Sequence, residues 1–281
     1  MAIEWTLVLF SLLAGCGGCA FAYLGLSGFV LASTKSRFQI ALTAFVITVV
    51  GGFCSVAHLA SPENVMAAVW NIGSFSGISV ELILIGIVCI FMVIYMVLVK
   101  REVSESGIKV VGAIGAIFGL LLAFFTGHGY VIESRALWDT EMLPLAYLGT
   151  ALAFGAFTYA VCALVFKVET DEVRKMAIPV GVGAVVGPAT VLGYIFAVGF
   201  ERACGDPLIL WGGLIVCGVA ATLICGVLVM VRKQYMSSLP VLCAGLVFSA
   251  IGALALRAFM WAMGNGFLDL FEVAMTTRVI N

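Results

Sequence analysis

Eight long apolar stretches dominate the chain and predict its architecture. Each is about as long as the roughly 20 residues that an α-helix needs to cross the hydrocarbon core of a bilayer. Their boundaries fall near residues 7–31, 40–58, 78–99, 108–132, 145–166, 178–200, 208–231 and 240–263. The pattern therefore predicts an all-α integral membrane protein with eight transmembrane helices, forming a single polytopic domain over residues 1–281.

The loops between these stretches differ in their content of basic residues. Ten of the 14 Lys and Arg residues lie in the odd-numbered loops, whereas the even-numbered loops hold two and the C-terminal tail holds one. Cytoplasmic loops collect Lys and Arg, so the odd-numbered loops are predicted to face the cytoplasm. Both termini should then lie outside, together with the loops at 60–77, 133–144 and 201–207.

Composition supports the membrane assignment and narrows the chemistry. The chain is 63% hydrophobic and 10% charged, whereas soluble domains carry about 25% charged residues. No basic cluster indicates binding to nucleic acid. The nine cysteines are scattered, and no set has the spacing of a metal site. Cys16 and Cys19 have CxxC spacing but lie in an apolar helix beside two glycines, which favours helix packing over a redox or metal pair.

Ionisable residues inside apolar helices are costly and mark functional sites by default. His58 lies at the outer end of the second stretch. Measured from the outer end of each stretch at 1.5 Å per residue, Glu81 lies roughly 5 Å deep in the third, His128 roughly 6 Å deep in the fourth and Arg257 roughly 9 Å deep in the eighth. All four belong to one layer at the outer side, with no comparable set at the inner side or the midplane. The polar or aromatic residues at the same level are Asn71, Tyr130 and Trp138.

This layer suits the chemistry of a quinol, which must give up two hydroxyl protons when it is oxidised. Histidine titrates near neutral pH, and His and Glu are common proton acceptors. We therefore expect His58 to take one proton and Glu81 to take or relay the other. Arg257 can polarise a quinone oxygen or serve as a counter-charge to Glu81. Together with Arg257, His128 is expected to set the charge of the site and the orientation of the ligand.

Two other functions remain open at this level. A secondary transporter could use a broken helix as its binding site, and Pro179 and Pro188 interrupt the sixth stretch. A fixed kink at these prolines is the simpler interpretation. A b-type cytochrome anchor could hold one haem between His58 and His128, although no second histidine pair is present to carry electrons across the membrane.

The order of short motifs resembles the membrane anchor subunit of dimethyl sulfoxide reductase-type molybdoenzymes, the DmsC family. Residues 58–62 read His-Leu-Ala-Ser-Pro where the family carries His-Leu-Gly-Ser-Pro, and residues 80–82 read Val-Glu-Leu where it carries Asn-Glu-Ile. Residues 128–130 match a basic-x-Tyr element, with His128 in place of an arginine. Trp138 and Pro144 match features of the loop that follows this element, and residues 254–259 resemble the Gly-Arg element of the last helix.

The resemblance implies a fold of two four-helix bundles without haem, related to the polysulfide and nitrite reductase anchors. It implies a multi-pass protein of the bacterial cytoplasmic membrane that binds menaquinol at the outer face. There it would be one subunit of an oxidoreductase complex in anaerobic respiration. Electrons would pass to an iron–sulfur subunit and then to a molybdopterin catalytic subunit, both docked on that face. The resemblance implies that His58 and Glu81 bind and oxidise the quinol. The outer polar layer adds His128, Tyr130 and Arg257 as further expected quinol-binding residues.

Overall fold

Eight long apolar helices make up most of the computed structural model, which describes residues 3–29, 34–57, 77–133, 135, 137–200 and 206–264, without the side chains of 34, 35 and 78. They are α1 (Trp5–Ser27), α2 (Thr34–Ala57), α3 (Gly77–Lys100), α4 (Glu105–His128), α5 (Met142–Val165), α6 (Ala177–Val198), α7 (Leu208–Val231) and α8 (Leu239–Met263). Each is long and apolar enough to cross a bilayer. The prediction of eight membrane-spanning helices is confirmed.

The helices pack as two four-helix bundles. The first bundle contains α1 to α4, and the second contains α5 to α8. The two bundles meet where α1 packs against α5 and α8, and where α4 packs against α5. One end of the protein, here called the Glu81 end, is where α3 begins and where α4 and α8 end. The opposite end, where α3 ends, is called the Lys100 end.

Helix α1 lies at the centre and uses its small residues to approach several neighbours. Gly17 packs against Thr48 of α2, and Gly18 packs against the backbone of Gly119 in α4. Cys16 and Cys19 are fully buried as free thiols, and no cluster of metal-binding side chains is found among the described residues. The CxxC pair therefore lies within the packed centre of the fold, where its two glycines contact α2 and α4.

The structure corrects the expectation that buried ionisable residues occur at one end only. Helix α2 begins at Thr34 rather than near residue 40, which places Arg37 inside the helix with 1% of its surface exposed. Its Nη1 donates to both carboxylate oxygens of Glu105, each at 2.9 Å. The hydrophobic pattern missed this first turn because a charged side chain can be buried when its charge is paired and its aliphatic stem is packed.

The sixth helix is not broken. It runs from Ala177 to Val198 with Pro188 inside it, so the structure does not show the interruption that a transporter site would use. The irregular helix is instead α7, whose first part, Leu208–Ala221, is wound as a π-helix before it continues as an α-helix. At the junction, Thr222 Oγ1 donates to the carbonyl of Cys217 at 2.9 Å.

Candidate functional site

Four of the five residues predicted to bind a quinol lie in the described part of the chain, and they lie toward the Glu81 end. These four are Glu81, His128, Tyr130 and Arg257. His58 and Asn71 lie outside the described residues, which end at Ala57 in α2 and resume at Gly77 in α3. The assignment of His58 therefore stays a prediction.

Glu81 lies one turn into α3, directly beside the end of α4. A Cβ built on Gly129 would lie 3.0 Å from Glu81 Oε1, so the absence of a side chain there makes room for the carboxyl group. Gly77, the first residue of α3, also packs on the backbone of Gly129. The side chain of Glu81 is half-buried, and no described residue forms a hydrogen bond or an ion pair with its carboxylate. Both of its oxygens are therefore available to a ligand within this part of the structure.

An aromatic cluster of Tyr130, Trp138, Tyr147 and Trp261 packs beside this site. The ring of Tyr130 is 6.0 Å from Tyr147 and 5.9 Å from Trp261 between centroids, and the two tryptophan rings are 5.2 Å apart. The indole N–H of Trp138 donates to the carbonyl of Met260 at 2.9 Å and fixes the loop against α8. Burial, with smaller effects from Tyr147 and Glu81, raises the pKa of the Tyr130 phenol well above its usual range. Tyr130 therefore stays protonated and can act as a hydrogen-bond donor.

Arg257 is fully buried at the junction of the two bundles. Its Nε donates to Ser11 Oγ at 2.9 Å, Nη2 donates to the Ser11 carbonyl at 3.1 Å, and Nη1 donates to the Ala253 carbonyl at 2.9 Å. The guanidinium carbon lies 4.3 Å from the centre of the Tyr147 ring, a favourable cation–π position.

No carboxylate of the described residues pairs with the Arg257 guanidinium. The ion pair with Glu81 that the sequence left open is not formed, because Tyr147 covers the guanidinium and Ser11 engages its nitrogens. Arg257 is therefore a buried cation held by neutral acceptors. Such an arrangement is costly inside a membrane and indicates a function beyond packing.

His128 occupies a different position from the one expected. Helix α4 ends at His128 rather than near residue 132, so the side chain lies at the helix end and not about a turn inside it. Its side chain is 45% exposed, with Nδ1 4.0 Å from Glu141 Oε2, and its ring stacks on Phe124. The chain turns here because the amides of Gly129 and Tyr130 bond back to the last turn of the helix. Contact between His128 and a ligand stays a prediction.

Tyr147 thus lies between Tyr130 and Arg257. Glu81 lies beside Gly129 at the same end, and His128 lies on the neighbouring surface. Sequence reasoning missed Ser11, Tyr147 and Trp261. Ser11 and Tyr147 are ordinary residues of apolar helices, and only the packing of α1 and α5 against α8 brings them to Arg257. For Tyr147, the one available sequence signal was a tyrosine within an apolar stretch, which is a weak indication of a functional residue.

Comparison with known proteins gives the relationship directly. The family model described as DMSO reductase anchor subunit (DmsC) matches residues 1–203. This match covers α1 to α6 and includes Glu81, His128 and Tyr130, whereas Arg257 lies beyond it. No curated protein matches the chain. Since the family match covers well over half of the 281 residues, the chain belongs to the DMSO reductase anchor subunit (DmsC) family.

Proposed function

We propose that this anchor subunit oxidises menaquinol at its Glu81 end and passes the electrons to an iron–sulfur subunit. The observation that supports this most strongly is the carboxylate of Glu81, which has no partner among the described residues and lies beside Gly129, next to Tyr130 of the aromatic cluster. The loop charges favour the outer face of a bacterial cytoplasmic membrane for this end. On that face the iron–sulfur subunit and a molybdopterin catalytic subunit would dock.

The proposed reaction removes two electrons and two protons from each quinol. Glu81 accepts a proton from one hydroxyl group, and His58 is predicted to accept the other. The two electrons leave one at a time to an iron–sulfur cluster of the partner subunit, and the product is the quinone. Since the protons are released on the side where the electrons leave, the step moves no net charge across the membrane.

The other described residues supply binding and electrostatic stabilisation. Tyr130 is the partly exposed ring of the aromatic cluster, whereas Trp138, Tyr147 and Trp261 are buried behind it. A quinol head group can therefore pack against Tyr130, whose phenol can donate a hydrogen bond to one of its oxygens. The buried cation of Arg257 favours the negative charge that develops on a quinol oxygen as its proton leaves. It acts across the Tyr147 ring, which separates the guanidinium from Tyr130.

Removing this cation tests its electrostatic role. Arg257→Gln is expected to slow quinol oxidation about tenfold or more. The two charges concerned are the guanidinium and the negative charge that develops on a quinol oxygen beyond Tyr147; charges about 10 Å apart interact by about 1.7 kcal/mol at an effective dielectric constant of 20. The matched control is Arg37→Gln, which removes the other buried arginine from the Lys100 end. That variant is expected to lower thermal stability but not the turnover of the folded protein. Equal turnover in the two variants would contradict the role given to Arg257.

The proposed function as a whole is tested with the purified complex, with and without the anchor subunit. The complete complex is expected to oxidise a soluble menaquinol analogue. The complex without the anchor should lose this activity but retain reduction of the terminal acceptor by a small dye. The proposal would be contradicted if both preparations reduced the terminal acceptor with the dye but neither oxidised the menaquinol analogue.

Two further measurements address the other functions. An absorption spectrum of the anchor with a haem Soret band would favour the cytochrome interpretation. Substrate uptake into liposomes by the anchor alone would favour a transporter.

A further inference from the structure

A groove in the lipid-facing surface lies between the two bundles, toward the Lys100 end. It has a volume of about 480 Å³, which is within the range of about 300–1,000 Å³ that is typical of ligand sites. Helices α1 and α4 of the first bundle and α5 and α6 of the second contribute its walls. The residues lining it are mainly apolar and include Tyr23, Leu26, Phe29, Ala113, Ile117 and Val182. Because the lining is apolar, an apolar chain is favoured over water as its occupant.

A positive charge lies at the mouth of this groove. Lys109 Nζ is 5.7 Å from the centre of the Phe29 ring, which is part of the lining. Lys109 precedes Ala113 by one helical turn, so the two side chains share the face of α4 that forms the groove. Glu105, one turn earlier, is already paired with Arg37. No carboxylate of the described residues pairs with Lys109, so its ammonium group is available to an anion.

We propose that this groove binds one anionic phospholipid, with an acyl chain between the bundles and the phosphate on Lys109. An apolar groove with a cation at its mouth, near the end of a membrane-spanning helix, matches the two parts of such a lipid. Basic residues at this depth attract anionic headgroups. The bound chain touches helices of both bundles and thereby stabilises their junction.

The charge and the position of the groove favour a phospholipid over the tail of a quinol. A quinol head group is neutral and gains little from the ammonium of Lys109. Along α4, Lys109 lies about 28 Å from His128 at 1.5 Å per residue. An isoprenoid tail whose head lies at Lys109 would therefore leave the Glu81 site empty. The groove is a second site, independent of quinol oxidation.

Native mass spectrometry of the full chain in detergent, with added phosphatidylglycerol or phosphatidylcholine, tests the headgroup preference. We expect one phosphatidylglycerol to be retained per chain and to bind more tightly than phosphatidylcholine. Lys109→Gln should weaken phosphatidylglycerol binding about fivefold and leave phosphatidylcholine binding unchanged. The control Lys100→Gln removes an exposed cation of the same end outside the groove and should behave like the wild type. Equal binding of the two lipids by the wild type would overturn the proposal.

The acyl-chain site is tested by filling the groove. Ala113→Phe is expected to abolish retention of the phospholipid and the thermal stabilisation that accompanies it. Gly86→Phe adds the same ring at a lipid-exposed position of α3 where a Cβ meets no atom within 4 Å, and it should retain the lipid. Unchanged retention in Ala113→Phe, or a quinone as the occupant that co-purifies, would contradict the assignment. If Ala113→Phe does not fold, the comparison of Lys109→Gln with Lys100→Gln still decides the matter.

Discussion

Replacing Glu81 with glutamine is expected to slow quinol oxidation by about 100- to 10,000-fold, the range typical of a lost general base. Glutamine has nearly the same shape but cannot accept the proton of a quinol hydroxyl. The substitution breaks no ion pair among the described residues, and the space beside Gly129 that holds the carboxyl group is retained. The thermal stability of the anchor should therefore change little. The measurement is the steady-state oxidation of a menaquinol analogue by the complete complex.

Glu141→Gln is the matched control for this experiment. Glu141 lies at the same end and its side chain is 71% exposed; among the described residues, its carboxylate pairs with His128 alone, at 4.0 Å. Its neutralisation should leave turnover within about twofold of the wild type, because exposed ion pairs contribute about 0–1 kcal/mol. His58→Ala is expected to lose turnover to a similar degree as Glu81→Gln if both residues accept quinol protons. Wild-type rates of quinol oxidation in both His58→Ala and Glu81→Gln would refute the proton-transfer assignment.

Replacing Gly119 with valine is expected to separate α1 from α4 and to disrupt the first bundle. The backbones of Gly18 and Gly119 are in direct contact: a Cβ on Gly18 would lie 2.8 Å from the Gly119 carbonyl oxygen. Backbone atoms cannot move aside as a flexible side chain can, so the helices themselves must shift. Overpacking of this kind costs about 1–3 kcal/mol, and more where the backbone blocks relaxation. A lower melting temperature and poor recovery from the membrane should follow.

The control for this substitution is Gly86→Val. Gly86 faces outward from α3, and a Cβ there meets no atom within 4 Å, so the added side chain should extend into lipid at little cost. Both variants replace a helical glycine with the same β-branched residue, which removes differences in intrinsic helix propensity. Thermal unfolding in detergent compares them directly. Equal stability of the two variants would show that the contact between Gly18 and Gly119 is not essential to the bundle.

Helix number followed from the sequence because each membrane-spanning helix must cover its own length with apolar residues. Helix ends were harder to predict. The start of α2 was missed because Arg37 lies in its first turn, where a charge breaks the apolar pattern although it is paired with Glu105. The end of α4 was placed too late because the residues after His128 remain partly apolar although the chain already turns there.

The candidate site was predicted in part for a similar reason. Ionisable residues are rare in apolar helices, so Glu81 and Arg257 were visible from the sequence, and their positions along the helices placed them at one end. Whether Glu81 and Arg257 contact each other was not visible from the sequence. The sequence allowed a direct ion pair, whereas the structure holds Arg257 on Ser11 and covers it with Tyr147.

The sequence alone therefore determined the class of protein, the eight helices and the gathering of ionisable residues near one end. These properties depend on local composition, because the bilayer requires a continuous apolar segment wherever a helix crosses it. Only the tertiary structure decided which helices touch, that Arg37 is buried, and that Arg257 is held by a serine 246 residues away in the chain. Such contacts depend on how small residues let helices approach each other, and no local pattern of hydrophobic and polar residues specifies that.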